Sequence, residues 1–127
     1  MTPLERAIEE FNQGKYYQCH DTLEAIWMEA VEPDKTFYQG ILQIAVACYH
    51  LNRNNWRGAV MLLGEGTRKL REYEPEYMQI AVDELVRQSC ELLMALQNMS
   101  QGDGRVADGQ QKGKDNLRLP TIRLVNQ

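Results

Sequence analysis

The sequence is poor in the residues that mark most functional classes: among 127 residues there are two histidines, three cysteines, four prolines and two tryptophans. Three cysteines cannot all pair, and Cys19, Cys48 and Cys90 have no close-spaced partner, so a disulfide scaffold is excluded and reduced thiols in a cytoplasmic protein are expected. Long apolar runs are missing too. The longest, residues 40–51, is interrupted by Gln43 and His50 and falls well short of the ~20 residues that span a bilayer, so no membrane association is expected. The opening MTPLERAIEEF has acidic residues where a signal or transit peptide would be basic. Positive charge is scarce: residues 1–99 hold 9 Lys and Arg against 15 Asp and Glu. Such a body does not attract phosphates, and no nucleic-acid partner is expected.

What is present is helical patterning. Hydrophobic residues make up 43% and charged residues 25%, a globular composition, and apolar residues recur at spacings of three and four with no strand-like alternation. The fold class expected is all-α: a single compact bundle of about five antiparallel helices. The spacing predicts helices over residues 3–12, 15–31, 34–52 and 56–72, and a fifth after Pro75. Thr2 caps the first, and Pro3 sits in its first turn. The fifth carries a seam of Met78, Val82, Leu85, Ser89, Leu92, Leu96 and Met99 at alternating spacings of four and three. Residues 1–99 are read as the bundle domain, 100–116 as a Gly-rich linker, and 117–127 as an extended C-terminal tail that docks on the bundle or on a neighbouring subunit. Self-association follows as an expectation from that tail and from the small size of the bundle.

An echo recurs at an offset of 40 residues. Phe11, Gly14, Tyr16 and Cys19 line up with Leu51, Asn54, Trp56 and Ala59. Each set spans a helix end, a short turn and an aromatic start to the next helix, as in tetratricopeptide-like hairpins, although the offset is longer than the ~34-residue period of those repeats.

The third helix is apolar around its circumference apart from Gln43 and His50, which predicts a central position. A short turn at Pro33 sets residues of the second and third helices at equal height when their numbers sum to about 67. Trp27 is then expected opposite Gly40, Glu24 opposite Gln43, and His20 opposite Ala47, one turn from His50. His20, Glu24, Gln43 and His50 would form one buried polar cluster, with Asp21 solvated or near its rim rather than a ligand.

Three readings of that cluster stand side by side. His20 and Glu24, four apart on one face, together with His50, supply two imidazoles and a carboxylate, a set that suits zinc, iron or manganese in a metal-dependent hydrolase or other small enzyme. A satisfied hydrogen-bond network, with Glu24 accepting from His20 and Gln43 and His50 donating to Tyr16 or Tyr17, makes the cluster the interior of a helical binding or interaction module. Acid–base chemistry by a histidine beside Glu24 is the third. Tyr16, Tyr17, Tyr38 and Tyr49, with Trp27 and Trp56, are either pocket lining for a planar small-molecule ligand or ordinary packing. Gly58, Gly64 and Gly66 fall within helix and make no phosphate loop; close helix approach accounts for them.

The run FNQGKYYQCHDTLEAIW followed by FYQGILQIAVACYHLNRNNWRGAVMLL closely resembles the domain of unknown function family 309 over about residues 4–72. Phe11, Asn12, Gly14, His20, Glu24, Trp27, Gln39, Gly40, Gln43, His50 and Gly58 fall on the family pattern, while Asp21 stands where the family usually has Glu and Cys19 where it has Ala. The resemblance implies an all-α bundle of about five helices with no established activity.

Overall fold

A computed structural model describes residues 1–103 and 117–126; the linker assigned from sequence falls largely on residues 104–116, outside them. Five helices follow in order: α1 (Pro3–Asn12), α2 (Tyr16–Glu29), α3 (Asp34–Asn52), α4 (Trp56–Leu70) and α5 (Val82–Asp103). Successive helices pack on one another, α3 most extensively against α4. Phe11, Leu23, Phe37, Ile44, Leu63 and Leu96 are fully buried between them. Among the described residues no helix is long and apolar enough to cross a membrane.

α1 begins with a capping box: Thr2 Oγ1 accepts from the Glu5 N–H (3.1 Å) and Glu5 Oε1 accepts from the Thr2 N–H (2.9 Å). Its end and that of α3 are built alike. Gly14 (φ 78°) and Asn54 (φ 63°) both occupy the left-handed region. The Lys15 N–H donates to Glu10 O and the Asn55 N–H to His50 O, both at 2.8 Å, while Gly14 donates to Phe11 O and Asn54 to Leu51 O, both at 3.0 Å. These are two Schellman turns, and the 40-residue echo is the repetition of one helical hairpin.

α3 and α4 approach most closely through glycine. A β-carbon on Gly66 would stand 2.8 Å from Ile44 Cδ1 and 2.9 Å from Gly40 O; one on Gly40 would stand 2.8 Å from Leu70 Cδ2. Gly64 has nothing within 4 Å, so close approach explains Gly66 but not Gly64. Gly40 therefore faces α4, and the expected pairing with Trp27 does not form. Trp27 is covered instead by Lys35, whose ammonium lies 4.4 Å from the ring centroid and donates to Trp27 O at 3.0 Å.

Residues 76–81 also depart from the expectation. Helix was expected to resume after Pro75, yet Glu76–Tyr77 (β1) and Ile80–Ala81 (β2) pair antiparallel across a two-residue turn. Met78 (φ 49°) and Gln79 (φ 64°) are both left-handed, the signature of a type I′ hairpin turn. Neither residue favours that region, so no turn signal stands at these positions. Val82, Leu85, Ser89, Leu92 and Leu96 of the expected seam are buried, while Met78 lies in the turn.

The chain returns at residue 117 in extended form beside β2. The Ala81 N–H donates to Arg123 O (2.9 Å), the Val125 N–H donates to Gln79 O (2.8 Å), and Ile80 bridges Leu124. Ile122 is buried.

Candidate functional site

The height register read from sequence holds: the rings of Tyr17 and Tyr49, whose numbers sum to about 67, meet at 5.8 Å. The rotation of α3 differs from the expectation. Gly40 and Tyr49 are nine residues apart, about 180° around a helix at ~100° per residue, so when Tyr49 turns to α2, Gly40 turns away from it. Gln43 and His50, seven apart and within about 20° of each other by the same geometry, go with Gly40 towards α4.

Gln43 accordingly donates to Glu65 Oε1 (3.1 Å) and accepts from Lys69 Nζ (3.1 Å), both on α4. His50 meets the amide of Asn55, which caps α4, at 3.3 Å. Neither is hydrogen-bonded to Glu24. The cluster is also not buried: the side chains of His20 and Glu24 are 32% and 50% exposed. α3 is not shielded all round as expected, because Leu42, Gln43, Val46, Tyr49 and His50 are only half-buried.

His20 and Glu24 remain together on α2, with Nε2 and Oε2 3.9 Å apart. The other ring nitrogen, Nδ1, lies 3.2 Å from Asp21 Oδ1. A carboxylate only accepts, so Nδ1 carries a hydrogen, and the ring stands between two carboxylates, Asp21 at Nδ1 and Glu24 at Nε2. Nδ1 of His50 accepts instead. Asn55 Oδ1 accepts from the Gly58 N–H at 3.0 Å, which leaves the Asn55 NH2 to donate to His50 Nδ1 and puts the ring hydrogen on Nε2. Gly58 is required there: a β-carbon would lie 2.8 Å from Asn55 Nδ2 and 3.1 Å from His50 Cδ2.

Around these imidazoles runs a row of rings. His20 and Tyr17 lie 6.2 Å apart, Tyr17 and Tyr49 5.8 Å, and Tyr49 and His50 6.1 Å, with the Arg53 guanidinium 5.5 Å from the Tyr49 centroid. Tyr17 is 60% exposed. Tyr16 does not join the row; it is buried edge-on against Phe11 at 5.7 Å. Tyr38 packs on Phe37.

Among the described residues no three His, Cys, Asp or Glu side chains stand close enough together to hold a metal ion. Two of the three thiols are no nucleophiles: Cys19 and Cys48 are buried, and burial pushes both up to about 12, with Glu10 adding to the effect on Cys19. The role of Asp21 escaped the sequence because adjacent helical residues diverge by about 100°; that of Asn55 was signalled by its type, since Asn is a favoured helix cap.

Residues 4–62 match the family described as domain of unknown function (DUF309). Over 57 residues the chain is 39% identical to the uncharacterized protein YpuF of Bacillus subtilis (strain 168), covering 44% of this chain and 33% of that protein. The chain thus spans about a third of the length of that curated relative. No solved structure matches.

Proposed function

We propose that this chain, whose residues 4–62 carry the DUF309 domain, is a helical interaction module that engages a protein or small-molecule partner through the exposed face formed by α2 and the C-terminal half of α3. The observation that supports this is the row of rings His20, Tyr17, Tyr49 and His50, which crosses from one helix to the next with Tyr17 exposed. Tyrosine and histidine offer flat apolar surface with a polar tip at little entropic cost, the chemistry of recognition surfaces. The half-exposed His20 imidazole adds a polar edge, Glu24 a negative charge and Arg53 a positive one. Three unpaired thiols suit a reducing, cytoplasmic setting.

The test is to identify partners of the wild-type chain and measure them against Tyr17→Ala/Tyr49→Ala. Loss of affinity by about tenfold or more, with unchanged helical content, is the expected result. Equal affinity in both proteins removes this face from the function.

A second reading, metal binding by His20 and Glu24 without His50, draws on their side chains standing 3.9 Å apart on one face of α2. Asp21 would then orient the ring as the outer partner of a metal-bound imidazole. Titration with Zn2+, Mn2+ and Fe2+ against wild type and His20→Ala tests it: micromolar or tighter binding lost in the variant supports this reading, and no binding ends it.

A further inference from the structure

The C-terminal segment is held by groups that read backbone. Asn12 Nδ2 donates to Ile122 O (2.9 Å) while its Oδ1 accepts from the Ile122 N–H (2.7 Å). Gln88 repeats the device one residue earlier, with Nε2 donating to Thr121 O (3.1 Å) and Oε1 accepting from the Thr121 N–H (3.0 Å). Beyond them the edge of β2 and its turn take the next residues by main-chain bonds to Arg123 O and the Val125 N–H. α1, together with the consecutive elements β2 and α5, thus forms one trough that grips five successive peptide units. Strand addition of this kind takes affinity from the main chain and selectivity from a few side chains. Here the selective contacts are the burial of Ile122 and the pairing of Arg123 with Glu84.

We infer that the trough between α1, α5 and β2 is a strand-acceptor site, and that residues 117–126 of a second copy of this chain fill it by exchange. Every contact named above is the same whether the strand arrives from its own chain or from another, so exchange forfeits none of them. Residues 104–116 separate α5 from the strand, a length of chain that reaches at most about 50 Å at ~3.5 Å per residue. Charge favours the encounter. The segment from residue 100 onward carries 5 basic and 3 acidic residues, against 9 basic and 15 acidic in the body, so the strand of one copy is drawn to the body of the other. This site lies on other residues than the ring row and stands or falls separately.

Complementation between two full-length variants tests the inference. Ile122→Asp spoils the strand and leaves the trough intact; Asn12→Ala/Gln88→Ala spoils the trough and leaves the strand intact. Each alone should sediment as a monomer. Mixed at about 100 µM, where competition from a tethered strand at millimolar local concentration has been removed, they should form a one-to-one dimer. Two folded variants that do not associate overturn the inference, as does a dimer formed by either alone, since that assembly uses another face. Should Ile122→Asp lose its helical circular dichroism, the wild-type chain decides: in a mixture of carbon-13-labelled and unlabelled protein near 1 mM, isotope-filtered contacts from the Ile122 methyls to α1 or α5 of the other chain are expected, and contacts confined to one chain contradict it.

Discussion

The carbonyl oxygen of Gly40 lies 2.9 Å from the place a β-carbon on Gly66 would occupy. A backbone atom cannot swing aside as a side-chain end can, so α3 and α4 meet as closely as they do only because both positions lack a side chain. Gly66→Ala should force the helices apart and destabilise the domain by about 1–3 kcal/mol, in the range of overpacked cores. Gly64→Ala, with open space around it, should gain about 0.5–1 kcal/mol from helix propensity. Thermal unfolding of the two variants checks the pair; equal effects would show that the glycine contact does not set the helix spacing.

The thiols should separate by reactivity. Burial raises Cys19 and Cys48 to about 12, leaving at pH 8 a thiolate fraction of about 1 in 10,000, whereas Cys90 is partly exposed and accepts a hydrogen bond from Arg71 Nη2 at 3.0 Å. One fast-reacting thiol in the native protein and three after denaturation are expected with a chromogenic disulfide reagent. Two fast thiols would mean that the α1–α3 core opens readily.

Docking of the C-terminal segment should depend on pH. Hydrogen bonding and charge from Arg123 hold the Glu84 carboxyl below its ordinary value. A depressed carboxyl pKa contributes stability that is complete above the unfolded value and lost as pH falls through the folded one. The amide signals of residues 121–125 should therefore shift towards undocked positions on acidification through the carboxylate range, and Glu84→Gln should flatten that response. An unchanged profile in Glu84→Gln would remove this ion pair from docking.

Legibility followed the physics of each element. The bounds of α1 and α3, the Thr2 cap and the doubled turn at Gly14 and Asn54 were readable because capping and left-handed residues act locally. The height of α2 against α3 was readable too, since a short turn fixes register. Rotation was not: which face of α3 meets α2 depends on the close approach of Gly40 and Gly66, a contact between residues 26 positions apart. Turning α3 by that amount carried Gln43 and His50 to α4 and opened the cluster to solvent. The hairpin at residues 76–81 escaped because Met78 and Gln79 adopt its turn without glycine or asparagine. On the ring row, Tyr17 and Tyr49 were named among the aromatic candidates, whereas their pairing needed the rotation as well.

At the two ends of the ring row, Asp21 faces Nδ1 of His20 and the Asn55 amide faces Nδ1 of His50, so the first nitrogen donates and the second accepts. Long-range nitrogen-15 correlation spectra of the two imidazoles at neutral pH read this directly. Nδ1 of His20 is predicted to carry a hydrogen and Nδ1 of His50 to carry none. A His20 ring protonated on Nε2 alone would contradict the account.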